Sequence, residues 1–215
     1  MNRLLIVDDH PLMRKGLVQL LGLETGLRIH GDVGTAAEAI AICLTDPPDL
    51  VLADLSLPDK NGLELIKDLR ALNPDLRILV VSMHEESLYA ARVLKAGARG
   101  YVMKEEAPEN LIEAVRTVLR GGIFVSPKVS TKILEEFSNQ RKGGDSPVTR
   151  LTDRELEIFR MIGEGHGSRD IAGKLHISVR TIGAHRAHIK EKLGLRDATE
   201  LVHRAVGWVK TGEWG

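Results

Sequence analysis

The sequence predicts an α/β doubly wound sheet of five parallel strands, followed by a small all-α helix-turn-helix domain. Three observations carry this. The first 121 of the 215 residues alternate short apolar runs with amphipathic segments of helix length. The run Leu50-Val51-Leu52-Ala53 breaks off at Asp54, as a central strand covered on both faces does at its C-terminal end. From Thr149 onward the pattern is helical only, with two short helices around a tight turn.

Taken in order, Leu4 to Val7 reads as a strand, and Pro11 opens a helix whose stripe is Met13, Leu17, Leu20 and Leu21. Leu27 to Val33 is an amphipathic strand and Ala36 to Leu44 a helix, with Cys43 a buried thiol within it. The Asp54 strand is third. A turn through Pro58 and Gly62 leads to a helix marked by Leu63, Ile66 and Leu69. Ile78 to Val81 is the fourth strand, ending at Ser82, and the helix Leu88 to Ala96 stops at Gly97, a left-handed cap. Tyr101 to Met103 is a short fifth strand ending at Lys104, and Pro108 to Leu119 is the fifth helix. Strand–helix repetition of this kind requires parallel strands with right-handed crossovers.

Composition bounds the function. At 43% hydrophobic and 28% charged residues the chain is globular, not disordered. No apolar run approaches the roughly 18 residues that span a bilayer, so no membrane role is expected. The start, Met1 to Asp9, reads as a strand rather than a signal peptide, and the single cysteine excludes an internal disulfide, so a cytoplasmic location is expected. The zero net charge hides an asymmetry: from Thr149 on there are 12 Lys+Arg against 9 Asp+Glu, leaving 18 against 21 before it. Five of the eight histidines also lie in that basic part. An acidic first module and a nucleic-acid-facing second one follow.

The C-terminal ends of parallel strands share one sheet edge, which here collects Asp8, Asp9, Asp54, Ser82 and Lys104. Three carboxylates there repel unless a cation joins them, and hard oxygen ligands suit Mg²⁺. A lysine ammonium and a serine hydroxyl beside that cation can hold phosphoryl oxygens, and one carboxylate can then act as nucleophile and form an acyl phosphate.

These segments resemble a known family. Val7-Asp8-Asp9-His10, Asp54-Leu55-Ser56-Leu57-Pro58 with Gly62, Val80-Val81-Ser82 and Gly100-Tyr101-Val102-Met103-Lys104 are similar to the receiver domain of two-component response regulators, a flavodoxin-like fold, over residues 1–121. The resemblance implies that Asp54 accepts a phosphoryl group from a sensor histidine kinase. It implies Mg²⁺ bound directly by Asp9, Asp54 and the Ser56 carbonyl, with Asp8 acting through water, and Ser82 and Lys104 contacting the phosphoryl group. Tyr101 would be the aromatic whose rotamer reports phosphorylation, in concert with Ser82. Many receivers place proline after the lysine; Glu105 here leaves that peptide's isomer open.

Gly121-Gly122 closes this module. Ser126-Pro127 starts a linker helix with Val129, Ile133, Leu134 and Phe137 on one side, and Arg141 to Pro147 is a flexible polar hinge, so residues 122–148 form the link and 149–215 the second domain. There Thr152 is an N-cap with Glu155 as its capping-box partner, and Leu156, Phe159 and Ile162 give the helix a core face. Ser168 caps a second helix and Ser178 a third that reaches Leu193. At 100° per residue, Ile189 and Leu193 fall within about 20° of Ile182, so that face is core. Arg180, Gly183, Ala184, Ala187 and Lys190 point the other way, a basic face of small residues suited to a major groove. Ala184 or Ala187 would touch a thymine methyl, while Arg180, Thr181 and Lys190 would hold phosphates; Ser168 is a further DNA-binding candidate. His185 and His188 lack a third ligand for a metal site.

Leu151-Thr152-Asp153-Arg154-Glu155, Gly165-His166-Gly167-Ser168-Arg169-Asp170-Ile171-Ala172 and Ser178-Val179-Arg180-Thr181-Ile182 with His185 resemble the LuxR-type helix-turn-helix, which joined to a receiver is the NarL/FixJ class. The resemblance implies binding of double-stranded promoter DNA as a homodimer formed on phosphorylation, with RNA polymerase a further partner. Its last helix, here Thr199 to Lys210, would lie at the dimer interface through Leu201, Val202, Ala205 and Val209. Family members often carry longer or charged side chains where Gly183 and Ala184 stand, so the target sequence does not carry over. Three other readings are weaker. An aspartyl-phosphate phosphatase needs a second acid where Ser56 stands, a dinucleotide-binding enzyme needs a glycine loop where Asp8-Asp9-His10-Pro11 stands, and a receiver that never accepts phosphate would lack the acids or the lysine. A regulator rather than an enzyme is expected.

Overall fold

A computed structural model describes residues 1–131, 133, 147–175, 177–211 and 214. The chain forms two compact units, Met1–Ser138 and Asn139–Gly215. The first contains β1 (Asn2–Val7), α1 (Pro11–Gly22), β2 (Leu27–Val33), α2 (Ala36–Thr45), β3 (Leu50–Ala53), α3 (Gly62–Leu72), β4 (Arg77–Ser82), α4 (Glu86–Ala96), β5 (Gly100–Met103) and α5 (Pro108–Leu119). All pairings are parallel, in the order β2-β1-β3-β4-β5. The doubly wound expectation holds.

The apolar runs are buried because each central strand is covered on both faces: Leu50 through Ala53 are at most 1% exposed. One face packs Leu4, Ile6, Leu52 and Leu79 beneath α1 and α5 (Leu21, Val115, Val118). Each burial of such a side chain contributes about 1.5–3 kcal/mol of transfer free energy. The sheet therefore holds its C-terminal edge rigid, and the site is built on that edge. Gly97 takes φ 108° and ends α4 as expected. Among the described residues no peptide bond is cis, so Lys104–Glu105 is trans.

The first unit runs past Gly121. Phe124 forms a parallel bridge to Gly100, and Ser126 begins a helical stretch over residues 127–131 by accepting from the Val129 amide. Leu134, Phe137 and the polar hinge 141–146 lie outside the described residues.

Among its described residues the second unit has a 3₁₀ turn at Pro147–Arg150, then α6 (Asp153–Gly163), α7 (Ser168–Lys174), α8 (Val179–Leu193) and α9 (Ala198–Thr211). Thr152 and Glu155 form the capping box. Ser178 caps α8 by accepting from the Thr181 amide at 3.0 Å. The cap expected at Ser168 is corrected: Gly167 is the N-cap residue, without a side-chain bond, and Ser168 is the first helical residue. Glycine serves this position nearly as well as serine, so the boundary moved by one residue. Ile182 and Ile189 are fully buried and Leu193 nearly so, which confirms the helical angles.

Leu201 and Ala205 require a second correction. Both are fully buried within this unit, so neither is available to a partner. α9 packs on α6 so closely that a Cβ at Gly163 would collide with the Ala205 carbonyl oxygen and lie 2.5 Å from Val209 Cγ2. Phe159 and Trp208 add a tilted ring pair at 5.5 Å. The stripe serves the domain's own core. Of the four residues Val202 alone, at 40%, is markedly exposed.

Candidate functional site

β1 and β3 end side by side and β5 ends on the same sheet edge beyond β4, which brings Asp8, Asp54 and Lys104 together. Lys104 Nζ lies 2.6 Å from Asp8 Oδ2 and 2.8 Å from Asp54 Oδ2, with all three side chains at most 3% exposed. The Asp8 contact is an ion pair off hydrogen-bond alignment, whereas that to Asp54 is a hydrogen bond. Burial alone would lower the lysine pKa, but the Asp54 and Asp8 carboxylates outweigh it and hold the ammonium above its ordinary value. Asp54 Oδ1 accepts from the Leu55 amide at 2.7 Å.

Asp8, Asp9, His10 and Asp54 each offer a ligand atom within 4.8 Å of the others, the one such group among the described residues. Asp9 Oδ1 is buried without an aligned hydrogen bond, its neighbour being His10 Nδ1 at 2.6 Å. Carboxylate oxygens gathered this closely around so few donors fit a hard divalent cation. Asp9, 34% exposed at its side chain, opens the group to solvent. Among the described residues, His185 and His188 belong to no such group.

Ser82 is fully buried at the end of β4, and its carbonyl accepts the Lys104 amide at 2.9 Å. Tyr101, also fully buried, points inward and donates its hydroxyl to the His84 carbonyl at 2.7 Å. Burial pushes the Tyr101 pKa up, and the hydrogen-bonding Ser82 side chain opposes this. Ser56 Oγ meets His84 Nε2 at 3.0 Å, while the His84 ring stacks on Tyr89 at 4.9 Å.

Sequence reasoning missed three contributors. His84 joins Ser56 to the Tyr101 hydroxyl, but a loop residue carries no periodic signal. Arg14 Nη1 donates to the Asp8 carbonyl at 2.6 Å and Nε to Asp32 Oδ2 at 3.0 Å, tying the ends of β1 and β2 together. Asp59 accepts from the Ala36 and Ala37 amides, both at 2.9 Å, which anchors the loop after Asp54 to the start of α2. Burial would raise its pKa; the two amides hold it below the usual value.

In the second unit, α8 exposes Arg180, Thr181, Gly183, Ala184 and Ala187, with Lys190 half-buried; Ser168 is half-buried on α7. Nothing lies within 4 Å of a Cβ built on Gly183, so packing inside the chain does not demand the glycine. His185 is half-buried, and burial followed by the Arg154 charge lowers its pKa.

Comparison with known proteins matches both domains. Residues 4–116 match the family model of the response regulator receiver domain, and residues 149–205 that of the luxR family of bacterial regulatory proteins. The oxygen regulatory protein NreC of Staphylococcus epidermidis is 37% identical over 210 residues, covering 95% of this chain and 96% of NreC. The transcriptional regulatory protein DegU of Brevibacillus brevis is 32% identical, covering 97% of this chain and 95% of DegU. Among solved structures, RcsB from Salmonella enterica serovar Typhimurium, bound to a promoter in the presence of a phosphomimetic, has a TM-score of 0.64 at 26% identity, covering 94% of this chain and 96% of that one. A LuxR-family response regulator from Aurantimonas has a TM-score of 0.60 at 34% identity, covering 64% of this chain and 99% of that one. The chain belongs to the two-component response regulators, joining a receiver to a LuxR-type DNA-binding domain.

Proposed function

We propose that a sensor histidine kinase phosphorylates this regulator on Asp54 and that the phosphorylated chain binds promoter DNA as a homodimer in the cytoplasm, where RNA polymerase is the further partner. The observation that carries this is the Lys104 ammonium, held between Asp8 and Asp54 at the ends of three parallel strands. In the transfer an Asp54 carboxylate oxygen attacks phosphorus, the P–N bond to the kinase imidazole breaks, and the imidazole leaves with a proton. Lys104 and the Ser82 hydroxyl then face the new phosphoryl oxygens. Asp9, Asp54 and the Ser56 carbonyl would hold Mg²⁺, with Asp8 through water; bound there, the ion neutralises charge on the transferring group.

Where the Asp54 carboxylate carried one negative charge, the phosphoryl group carries up to about two beside Ser82. Drawing its hydroxyl toward them removes a neighbour of Tyr101, and the two residues form the switch. On the output side Arg180, Thr181, Lys190 and the Ser168 helix start serve phosphates, while Gly183, Ala184 and Ala187 admit the groove. The RcsB structures include a promoter complex and a pair of dimers on two DNAs, which supports a dimeric reader. With Leu201 and Ala205 buried, the dimer contact on α9 narrows to Val202 and the half-buried Val209.

Selection of bound sequences from a random DNA pool, with and without acetyl phosphate and Mg²⁺, tests the reading. Enrichment of an inverted repeat only with the phosphodonor, lost in Asp54→Asn, is expected. Equal enrichment in both states would overturn the phosphorylation gate.

A further inference from the structure

The chain that follows α5 is tied back to the first unit at two points. Phe124 is held by β5 through a pair of backbone bonds: its amide donates to the Arg99 carbonyl at 3.0 Å, and its carbonyl accepts the Tyr101 amide at 2.9 Å. Two residues on, the Ser126 amide donates to Glu86 Oε1 at 2.7 Å. Glu86 is the first residue of α4 and is buried, at 6% exposure. A carboxylate buried at a helix start and spent on an amide from another segment is an uncommon expense of charge burial. Ser126 in turn starts the helical stretch over residues 127–131, its side chain accepting the Val129 amide and its carbonyl the Ser130 amide.

The two attachments sit on different elements. Phe124 is bound to a strand of the packed sheet. Ser126 is bound to the far end of the segment Ser82-Met83-His84-Glu85-Glu86, whose first residue faces the phosphoryl position and whose His84 carbonyl is held by the Tyr101 hydroxyl. The His84 amide reaches Ser82 Oγ at only 3.4 Å, a weak hold on the same segment. When Ser82 turns to a phosphoryl group and Tyr101 rotates, the His84 backbone loses these two holds while its ring keeps Ser56 and Tyr89, and Glu86 lies only two residues beyond. Two points of one short strap cannot follow both a fixed strand and a moving segment. The single bond at Ser126 yields before the paired bonds at Phe124.

We infer that the Glu86–Ser126 bond is a latch that holds the start of the interdomain link against α4 until phosphorylation of Asp54 releases it. The inference rests on the proposed phosphorylation of Asp54 and names the physical step by which that event reaches the link. Glu86 is thus a positioning residue, remote from the reacting atoms.

The test uses the ¹⁵N-labelled full chain, with amide exchange followed at Ser126, Phe124 and Tyr101. Beryllofluoride with Mg²⁺ is the phosphoryl mimic, and incorporation from acetyl phosphate is measured separately. The Ser126 amide is expected to exchange about tenfold faster or more with beryllofluoride, while the Phe124 and Tyr101 amides stay protected. Glu86→Ala is expected to expose the Ser126 amide without the mimic yet incorporate phosphate at the wild-type rate. Glu86→Gln, which keeps an acceptor oxygen, is expected to retain protection. A Ser126 amide still protected at saturating beryllofluoride overturns the latch, as does release of Ser126, Phe124 and Tyr101 together. Failure of the wild type to incorporate phosphate would instead overturn the parent reading, and the separate assay tells the two apart.

Discussion

Lys104 is bonded to the carboxylate it is expected to serve: its Nζ lies 2.8 Å from Asp54 Oδ2, with Asp8 Oδ2 2.6 Å away. The ammonium is the counter-charge for two buried acids. Lys104→Ala leaves those acids facing each other, a change that costs about 3–5 kcal/mol when one partner of a buried pair is removed. Mg²⁺ should restore part of this loss, because a cation that binds only the folded state stabilises it by mass action. Denaturant unfolding followed by circular dichroism, with and without millimolar Mg²⁺, is expected to show a larger Mg²⁺ gain in Lys104→Ala than in the wild type. Because the lysine pKa is raised, its contribution is fully present below the unfolded lysine value and fades only as pH rises through the folded one. The loss is therefore expected to be flat across neutral pH.

Gly62 tests the loop that carries Asp54. A Cβ there would lie 2.5 Å from Leu55 Cα and collide with the Asp54 carbonyl oxygen, both backbone atoms that cannot swing aside. The Gly62 amide also donates to the Leu55 carbonyl at 2.9 Å. Gly62→Ala is expected to push the β3–α3 loop from its place, at roughly 1–3 kcal/mol of overpacking cost. Phosphate incorporation from acetyl phosphate should fall at least about tenfold, since about 1.4 kcal/mol of lost transition-state stabilisation suffices. Wild-type incorporation in Gly62→Ala would show the loop to be tolerant.

Glu155 makes the second unit acid-sensitive. It accepts from the Thr152 amide at 2.8 Å and from Lys192 Nζ at 2.6 Å, with its side chain 4% exposed. Burial would raise its pKa, but Lys192 and Thr152 together hold it below the usual carboxylate value. A lowered folded pKa means stability present above the unfolded value and lost as pH falls through the folded one. The two tryptophans, Trp208 and Trp214, both lie in this unit, so their fluorescence reports its melting alone. The fluorescence midpoint should fall below about pH 4.5, and Glu155→Gln should flatten that dependence. At neutral pH the variant is expected to lose roughly 2 kcal/mol, less than a fully buried pair because Lys192 is 36% exposed.

The alternation of elements was legible because each central strand is a continuous apolar run, and Asp54 stood out because it ends one. Lys104 and Ser82 were found by the same logic, as polar residues at strand ends. Leu201 and Ala205 were placed at a partner for a physical reason: an amphipathic face says that something covers it, not what. Gly163 was the overlooked signal, since a helix-end glycine there permits the close approach that buries Leu201 and Ala205. His84, Arg14 and Asp59 act through loop contacts between residues far apart in sequence, which no local pattern encodes. Glu86 was hidden for the same reason: it partners a residue 40 positions away.

The reading face of α8 separates affinity from specificity. Arg180 is exposed near the start of the helix and Lys190 half-buried near its end, while Ala184 and Ala187 lie exposed between them. A phosphate contact neutralises charge without reading sequence, and each one lost lowers the slope of log affinity against log salt by about 1. Arg180→Ala and Lys190→Ala are therefore expected to weaken binding to every sequence alike and to flatten the salt dependence. Ala187→Glu instead places a carboxylate where a groove would close around a methyl group, and it is expected to abolish selection while leaving the fold intact, because position 187 faces solvent. Fluorescence anisotropy with a selected site and a scrambled duplex, across a salt series, measures both effects. If Arg180→Ala relaxed discrimination between the two duplexes and kept the salt slope, Arg180 would be reading a base edge, and the assignment of phosphates to the ends of α8 would have to be reversed.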